Sequence, residues 1–390
     1  MGAMRRPPLL GVLSVVAVLL ALAPLGGARS QTRTGSTGSA TGSADPITAR
    51  TQSAHGLYIT GPWVRMHGAD EIIRLAQTAR MDTVVIDFKD AQGRVHYDTQ
   101  IAELAPQETG MLGDVRQLNA TLHAAGIQTV ARIVCFNDPV FAPAHLDRAI
   151  LDTRTSRRGR AWISWGTGGA WLDPWDRANQ DMIVTLSDEA EALGFDEVQL
   201  DYIRFPVDDG IRFAQYPDER AGVARGQMML ELLARIDAAI DIPLGVDVFG
   251  LTAFWEGDTS GLGQDLELWS RHVDVFTPML YLNSMRDWQR DDPERARHLV
   301  QTGVSRLRTR LGPGPIIRPF LQAFSNGTGG TFGPGFIADQ LVGARRGGAD
   351  GYLFWHPGSS YGVVMRAMQG VARSLSPFPI PADRTTARGG

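Results

Sequence analysis

Between about residues 56 and 375, short apolar runs alternate with stretches whose apolar positions recur every three or four residues. Those are the signatures of buried strands and of the helices that cover them. Eight such pairs follow one another. The pattern predicts strands at residues 57–60, 83–89, 129–136, 194–206, 244–249, 273–281, 316–324 and 351–356. It predicts helices at about residues 69–80, 112–125, 179–193, 218–239, 263–272, 292–311, 335–346 and 363–374. Four helix-to-strand joints are short, and three carry a glycine where the helix ends (Gly126, Gly194 and Gly348), which suits a left-handed residue before a tight turn. Strict alternation with such joints at one end predicts a single (β/α)8 barrel, with the polar strand ends sharing a mouth at the other. A doubly wound sheet would need a glycine fingerprint after the first strand, and Thr60-Gly61-Pro62-Trp63 is not one.

Composition changes the picture mainly at the two ends. Arg5 and Arg6 precede an apolar run from Leu9 to Ala23, followed by Pro24 and the small residues Gly26, Gly27 and Ala28. Residues 1–28 therefore read as an export signal, because the apolar run from Leu9 to Ala23 is shorter than the roughly 20 apolar residues of a permanent membrane span. Residues 29–55, rich in Ser, Thr, Gly and Ala, read as a flexible linker, and residues 376–390, with Pro377, Pro379 and Pro381, as a tail. The expectation is an exported protein of the periplasm, cell envelope or medium, without stable membrane insertion once the signal is removed. The net charge of −4 gives no field that would favour nucleic acid. The one cysteine, Cys135, has no intrachain disulfide partner and lies in an apolar run, so it reads as a core thiol.

Candidate chemistry collects at the strand ends. Alternation along the second strand puts Asp87 and Lys89 on one face, as an expected inward ion pair. Later strands offer Arg132, Asp201 with Arg204, Asp247, Tyr281, Gln322, and Trp355 with His356. Asp201 and Asp247 fall at corresponding heights on neighbouring strands, each within apolar sequence, where a carboxylate needs a partner or a task. Arg132 and Arg204 beside Asp201 would favour its anionic form, suiting a nucleophile. Asp247 lies between Val246 and Val248, where poor solvation would raise its pKa and suit a general acid, with Glu256 in the next loop as a reserve. Neighbouring strands lie about 4.8 Å apart, which leans towards the carboxyl spacing of about 5–5.5 Å that retaining glycosidases use.

Tryptophans give a second signal. Trp162, Trp165, Trp171 and Trp175 share one loop after the third strand. Flat aromatic faces beside polar groups suit sugar rings. The loop is expected to fold over the mouth, with Trp171 or Trp175 as a sugar platform, Asp173 binding hydroxyls, and at least two tryptophans facing the cleft. The histidines show no metal-ligand spacing and no Gly-x-Ser-x-Gly elbow occurs, so neither a metal nor another cofactor is expected. The glycine-rich loop at residues 325–331 reads as a mobile lip rather than a phosphate site.

Taken together, Gly-Phe-Asp-Glu-Val-Gln-Leu-Asp-Tyr-Ile-Arg-Phe-Pro at 194–206, Trp-Leu-Asp-Pro at 171–174, Asp-Val-Phe-Gly-Leu-Thr at 247–252, Pro-Met-Leu-Tyr at 278–281 and Gly-Ala-Asp-Gly-Tyr-Leu-Phe-Trp at 348–355 resemble the bacterial family called the putative glycoside hydrolase domain. The resemblance covers about residues 56–365. It implies a TIM barrel of the glycosidase superfamily acting on a polysaccharide, and asparagine where this chain has His356. A non-catalytic barrel that binds envelope polysaccharide through the same tryptophans is the alternative.

Overall fold

The computed structural model of the chain describes residues 51–164, 168–258, 261–285, 287–325 and 332–371. The expected signal, the linker up to residue 50, the tail at 376–390, Trp165 and lip residues 326–331 lie outside these described residues. Among them no helix is long and apolar enough to cross a membrane.

Val- and Ile-rich segments form the strands β1 (His55–Ile59), β2 (Thr83–Lys89), β3 (Gln128–Val134), β4 (Glu197–Asp201), β5 (Leu244–Phe249), β6 (Val275–Met279), β7 (Ile316–Ile317 and Phe320–Gln322) and β8 (Tyr352–Trp355). Every neighbouring pair is parallel, and β8 closes back on β1. The seventh strand, expected as one run, is broken at Arg318-Pro319, because proline cannot donate to the ladder. Helices follow the strands in turn: α1 (Gly61–Ala79), α2 (Val115–Ala124), α3 (Arg177–Ala192), α4 (Arg225–Asp237), α5 (Leu266–Trp269), α6 (Arg295–Leu311), α7 (Pro334–Gly347) and α8 (Gly362–Val371). The chain is a (β/α)8 TIM barrel.

Local chemistry explains where the helix bounds depart from expectation. α1 starts eight residues early, at Gly61 rather than Ala69, because Thr60 caps it by accepting from Trp63 N at 3.3 Å and Pro62 has the φ of a first turn. The extra stretch, Gly61 to His67, meets the rest across a non-helical Gly68. α4 starts at Arg225 instead of Asp218, and α5 keeps only one turn, capped by Asp265. Gly126, Gly194 and Gly348 have φ of 79°, 91° and 82°, the left-handed joints expected of them. At the other end of the expected linker Thr51 is already buried and its hydroxyl accepts from Gln128 Nε2 at 3.0 Å, so the packed chain begins before His55.

The core has two layers. Leu57, Ile59, Val84, Ile86, Ile133 and Val246 pack outward against the helices. Inside, Tyr58, Val85, Val130, Phe320 and Leu353 fill the barrel, each contributing roughly 1.5–3 kcal/mol by leaving water. Cys135 is fully buried, as expected. At the floor, Glu197 on β4 pairs with Arg318, both without solvent access. Gly245 on β5 leaves room for that pair, since a Cβ there would stand 2.9 Å from Glu197 Oε1.

Candidate active site

Alternation along β4 puts Glu197, Gln199 and Asp201 on one face, a polar column rising from the floor to the mouth. The register Leu200–Val246 sets Asp201 and Asp247 one step above that pair, side by side on neighbouring strands. Both border one cavity of about 680 Å³ at the C-terminal ends of the strands, where TIM barrels carry their chemistry. The height match expected of the two carboxylates is therefore real.

Their surroundings differ. Asp201 Oδ2 accepts from Arg132 Nε at 3.1 Å and Nη2 at 2.5 Å, and its Oδ1 accepts from Tyr202 N at 2.6 Å. These charge-assisted bonds stabilise the anion. Tyr202, at a φ of 51°, turns the chain in the left-handed region immediately after Asp201, a strain that functional sites often carry. Asp247 Oδ1 accepts a bond from Gln199 Nε2, while Oδ2 is buried with no partner among the described residues. Burial, and then the nearby charge of Asp201, push the Asp247 carboxyl well above its ordinary range, with Arg132 and Gln199 opposing. One carboxyl is clamped by an arginine, and its neighbour favours keeping its proton.

Arg132 is the hinge of this network. Its Nη1 donates to Asp87 Oδ1 at 2.5 Å, and Tyr58 Oη donates to Asp87 Oδ2 at 2.6 Å. Burial works against the guanidinium charge, but Asp201 and Asp87 outweigh it. Asp87 does not border the cavity, and its carboxyl is engaged with Arg132 and Tyr58 instead. The expected Asp87–Lys89 pair does not form. The register with β3 slips between those residues, so a bulge places Lys89 opposite Ile133 in the outer layer. There Lys89 pairs with Asp138 at 2.8 Å, without solvent access, and takes no part in the site.

The far wall is aromatic. Trp355 and Tyr281 border the cavity with ring centroids 5.8 Å apart, and Phe324 meets Trp355 edge-on at 5.4 Å. Burial, then Asp247 and Asp201, raise the Tyr281 hydroxyl, keeping it protonated as a donor. His356 also lines the cavity. Its Nδ1 accepts from Gly358 N at 3.0 Å and Ser360 N at 3.2 Å, which puts the proton of the neutral ring on Nε2. Burial lowers its pKa and keeps it neutral.

Several expected residues are engaged elsewhere. Trp171 and Trp175 are buried in a local core, against Tyr202 and Phe205 respectively, and neither borders the cavity. Among the described tryptophans only Trp355 does, against the expectation of two. The loop chain rather than the cleft uses these rings, because a long irregular segment needs its own apolar centre. Asp173 ties that loop together by accepting from Trp175 N at 3.0 Å and Asp218 N at 3.1 Å, and burial pushes its carboxyl up to about 7. Gln322 is fully buried, accepting from Asn283 N and donating to Phe324 O. Its amide is committed to the rim of the barrel. Glu256 is exposed and lies outside the cavity wall. Gln199 and Tyr58 were absent from the candidates, although period-two alternation through Glu197, Gln199 and Asp201 marks the first of them. Among the described residues no group of three or more metal-ligating side chains converges.

A TIM barrel with two neighbouring carboxyls in unequal surroundings at one mouth, beside an aromatic wall, has the parts of a glycoside hydrolase. Residues 56–361 match the family described as "Putative glycosyl hydrolase domain", and the chain belongs to it. Glycosidase is the enzyme class that membership assigns. Among solved structures, the PgaB (BpsB) glycoside hydrolase domain from Bordetella bronchiseptica is similar at a TM-score of 0.59 and 13% identity, over 82% of this chain and 98% of that one. The alpha-L-fucosidase isoenzyme 2 from Paenibacillus thiaminolyticus is similar at a TM-score of 0.53 and 13% identity, over 82% of this chain and 49% of that one. At such identities the likeness is one of fold. No curated protein matches the sequence at a significant level.

Proposed function

We propose that this chain is an exported glycoside hydrolase that cleaves a cell-envelope or extracellular polysaccharide with retention of configuration. The observation that carries the reading is the opposed setting of two neighbouring carboxyls on one cavity: among the described residues Asp201 is clamped by Arg132 and the Asp247 carboxyl is bonded only through the Gln199 amide. Asp201 attacks the anomeric carbon as Asp247 passes its proton to the leaving oxygen. The glycosyl–Asp201 ester is then opened by a water that Asp247, now anionic, deprotonates. Arg132 keeps Asp201 oriented, and Trp355 with Tyr281 offers the sugar a flat apolar face.

The test is release of reducing ends from envelope and exopolysaccharide fractions by the purified chain, with Asp247→Asn as control. Release by the wild type alone supports the reading. Binding without release by either protein would favour the non-catalytic barrel, and anomeric inversion of the first product would remove the nucleophile role of Asp201.

A further inference from the structure

Four arginines of the described chain are buried: Arg132, Arg148, Arg204 and Arg318. Arg132 has Asp87 and Asp201, Arg148 has Glu103 and Asp176, and Arg318 has Glu197. Arg204 has no carboxylate within ion-pair distance among the described residues. It is 4% exposed and borders the cavity that holds Asp201 and Asp247.

What holds Arg204 is aromatic. Its Cζ lies 4.7 Å from the ring centroid of Trp171, 4.7 Å from that of Phe249 and 5.3 Å from that of Tyr202. Three rings crowd the guanidinium carbon and restrict its movement, and the N–H groups that they leave open remain for hydrogen bonding. Nη1 donates to the neighbouring Phe205 O at 3.0 Å. Burial works against the charge, and Asp208 and Asp201 relieve it only from farther off. An immobilised cation with a free edge on a substrate cavity is set up for an anion that arrives with the ligand. A guanidinium fork matches a carboxylate in shape and takes it with two parallel bonds.

We propose that Arg204 selects a polysaccharide whose sugars bear carboxylates, the uronic-acid class, by pairing with one such group beside the scissile linkage. This deepens the glycosidase reading and rests on it. Arg204 follows Asp201 by three residues, in the segment that leaves β4, and borders the same cavity, so the acidic unit sits next to the attacked sugar. The aromatic wall of Trp355 and Tyr281 takes the neutral ring faces.

The test compares uronate oligosaccharides, of glucuronate, galacturonate and mannuronate type, with the same oligosaccharides after carboxyl reduction. Binding is measured by calorimetry on full-length Asp247→Asn, where no turnover intervenes. At least one acidic ligand should bind ten-fold or more tightly than its reduced form, with binding weakened by salt. Arg204→Gln should abolish that preference and Arg204→Lys should keep part of it, each checked for folding by thermal melt. Equal binding of acidic and reduced forms by the unaltered Arg204 protein, or no binding of any acidic ligand, overturns the proposal without need of an Arg204 variant. Cleavage of neutral glycans alone would overturn the Arg204 role and leave the glycosidase standing. Selective acidic binding with no cleavage by the wild type would do the reverse.

Discussion

The two ends of the barrel bury the same kinds of charge for different ends. β4 runs from Glu197 at the floor to Asp201 at the mouth, and each meets an arginine. At the floor, Glu197 and Arg318 are sealed, with Gly245 clearing space for them and Thr51 O accepting from Arg318 Nη1 at 3.4 Å. At the mouth, Arg132, Arg204, Asp201 and Asp247 open on a cavity, and the partners are unequal: among the described residues Arg132 has two carboxylates and Arg204 none. Burial of a charge is thus no mark of function by itself. A cavity with charges left incompletely matched is.

The sharpest way to break this comparison is at the mouth. Asp201→Ala and Asp247→Asn should each lower kcat by about 10²–10⁴-fold while the melting temperature stays near that of the wild type. Azide should rescue Asp201→Ala with a glycosyl azide of inverted configuration, as expected for a missing nucleophile. Near-wild-type turnover of Asp201→Ala would end the assignment.

The floor should respond in the opposite sense. Arg318→Met strands the sealed Glu197 charge and should cost about 3–5 kcal/mol of stability, read from the denaturant midpoint, with kcat of the folded fraction unchanged. Adding Glu197→Leu should return most of that loss. A large fall in kcat at constant stability would show that the floor pair serves the mouth.

A subtler probe lies between the two levels, at Gln199. Asp247 acts as an acid only while protonated, so activity falls as pH rises through its raised pKa. The Gln199 amide bonds the anion and pulls that pKa down. Gln199→Leu should therefore move the alkaline limb of the kcat/KM profile to higher pH. A limb moved to lower pH would mean that Gln199 supports the protonated acid. The smallest effect belongs to the surface: Arg74→Ala breaks an exposed pair with Glu71 and should change stability by less than about 1 kcal/mol, in contrast to the floor.

The periodicity of the chain determined the barrel. Alternating buried strands and covering helices, with glycines at the short joints, admit few closed arrangements, and the strand bounds of β2 and β5 follow from residue type alone. The height match of Asp201 and Asp247 was legible for the same reason, since parallel neighbours of a barrel keep register. So was the contrast in their surroundings, because the apolar flanks of Asp247 are a local fact.

What only the tertiary structure decided depends on contacts between distant segments. A one-residue bulge after Asp87 sends Lys89 into the outer layer to Asp138, and a bulge depends on how two strands meet. Trp171 and Trp175 have the composition of a sugar platform, but the long loop needed a core of its own and took them. Gln322 lost its amide to Asn283 and Phe324 when the rim closed. Arg204 shows the reason most plainly. Its charge is written in the sequence, whereas the rings of Trp171 and Phe249 around it, and its lack of a carboxylate partner among the described residues, exist only once three distant segments have folded together.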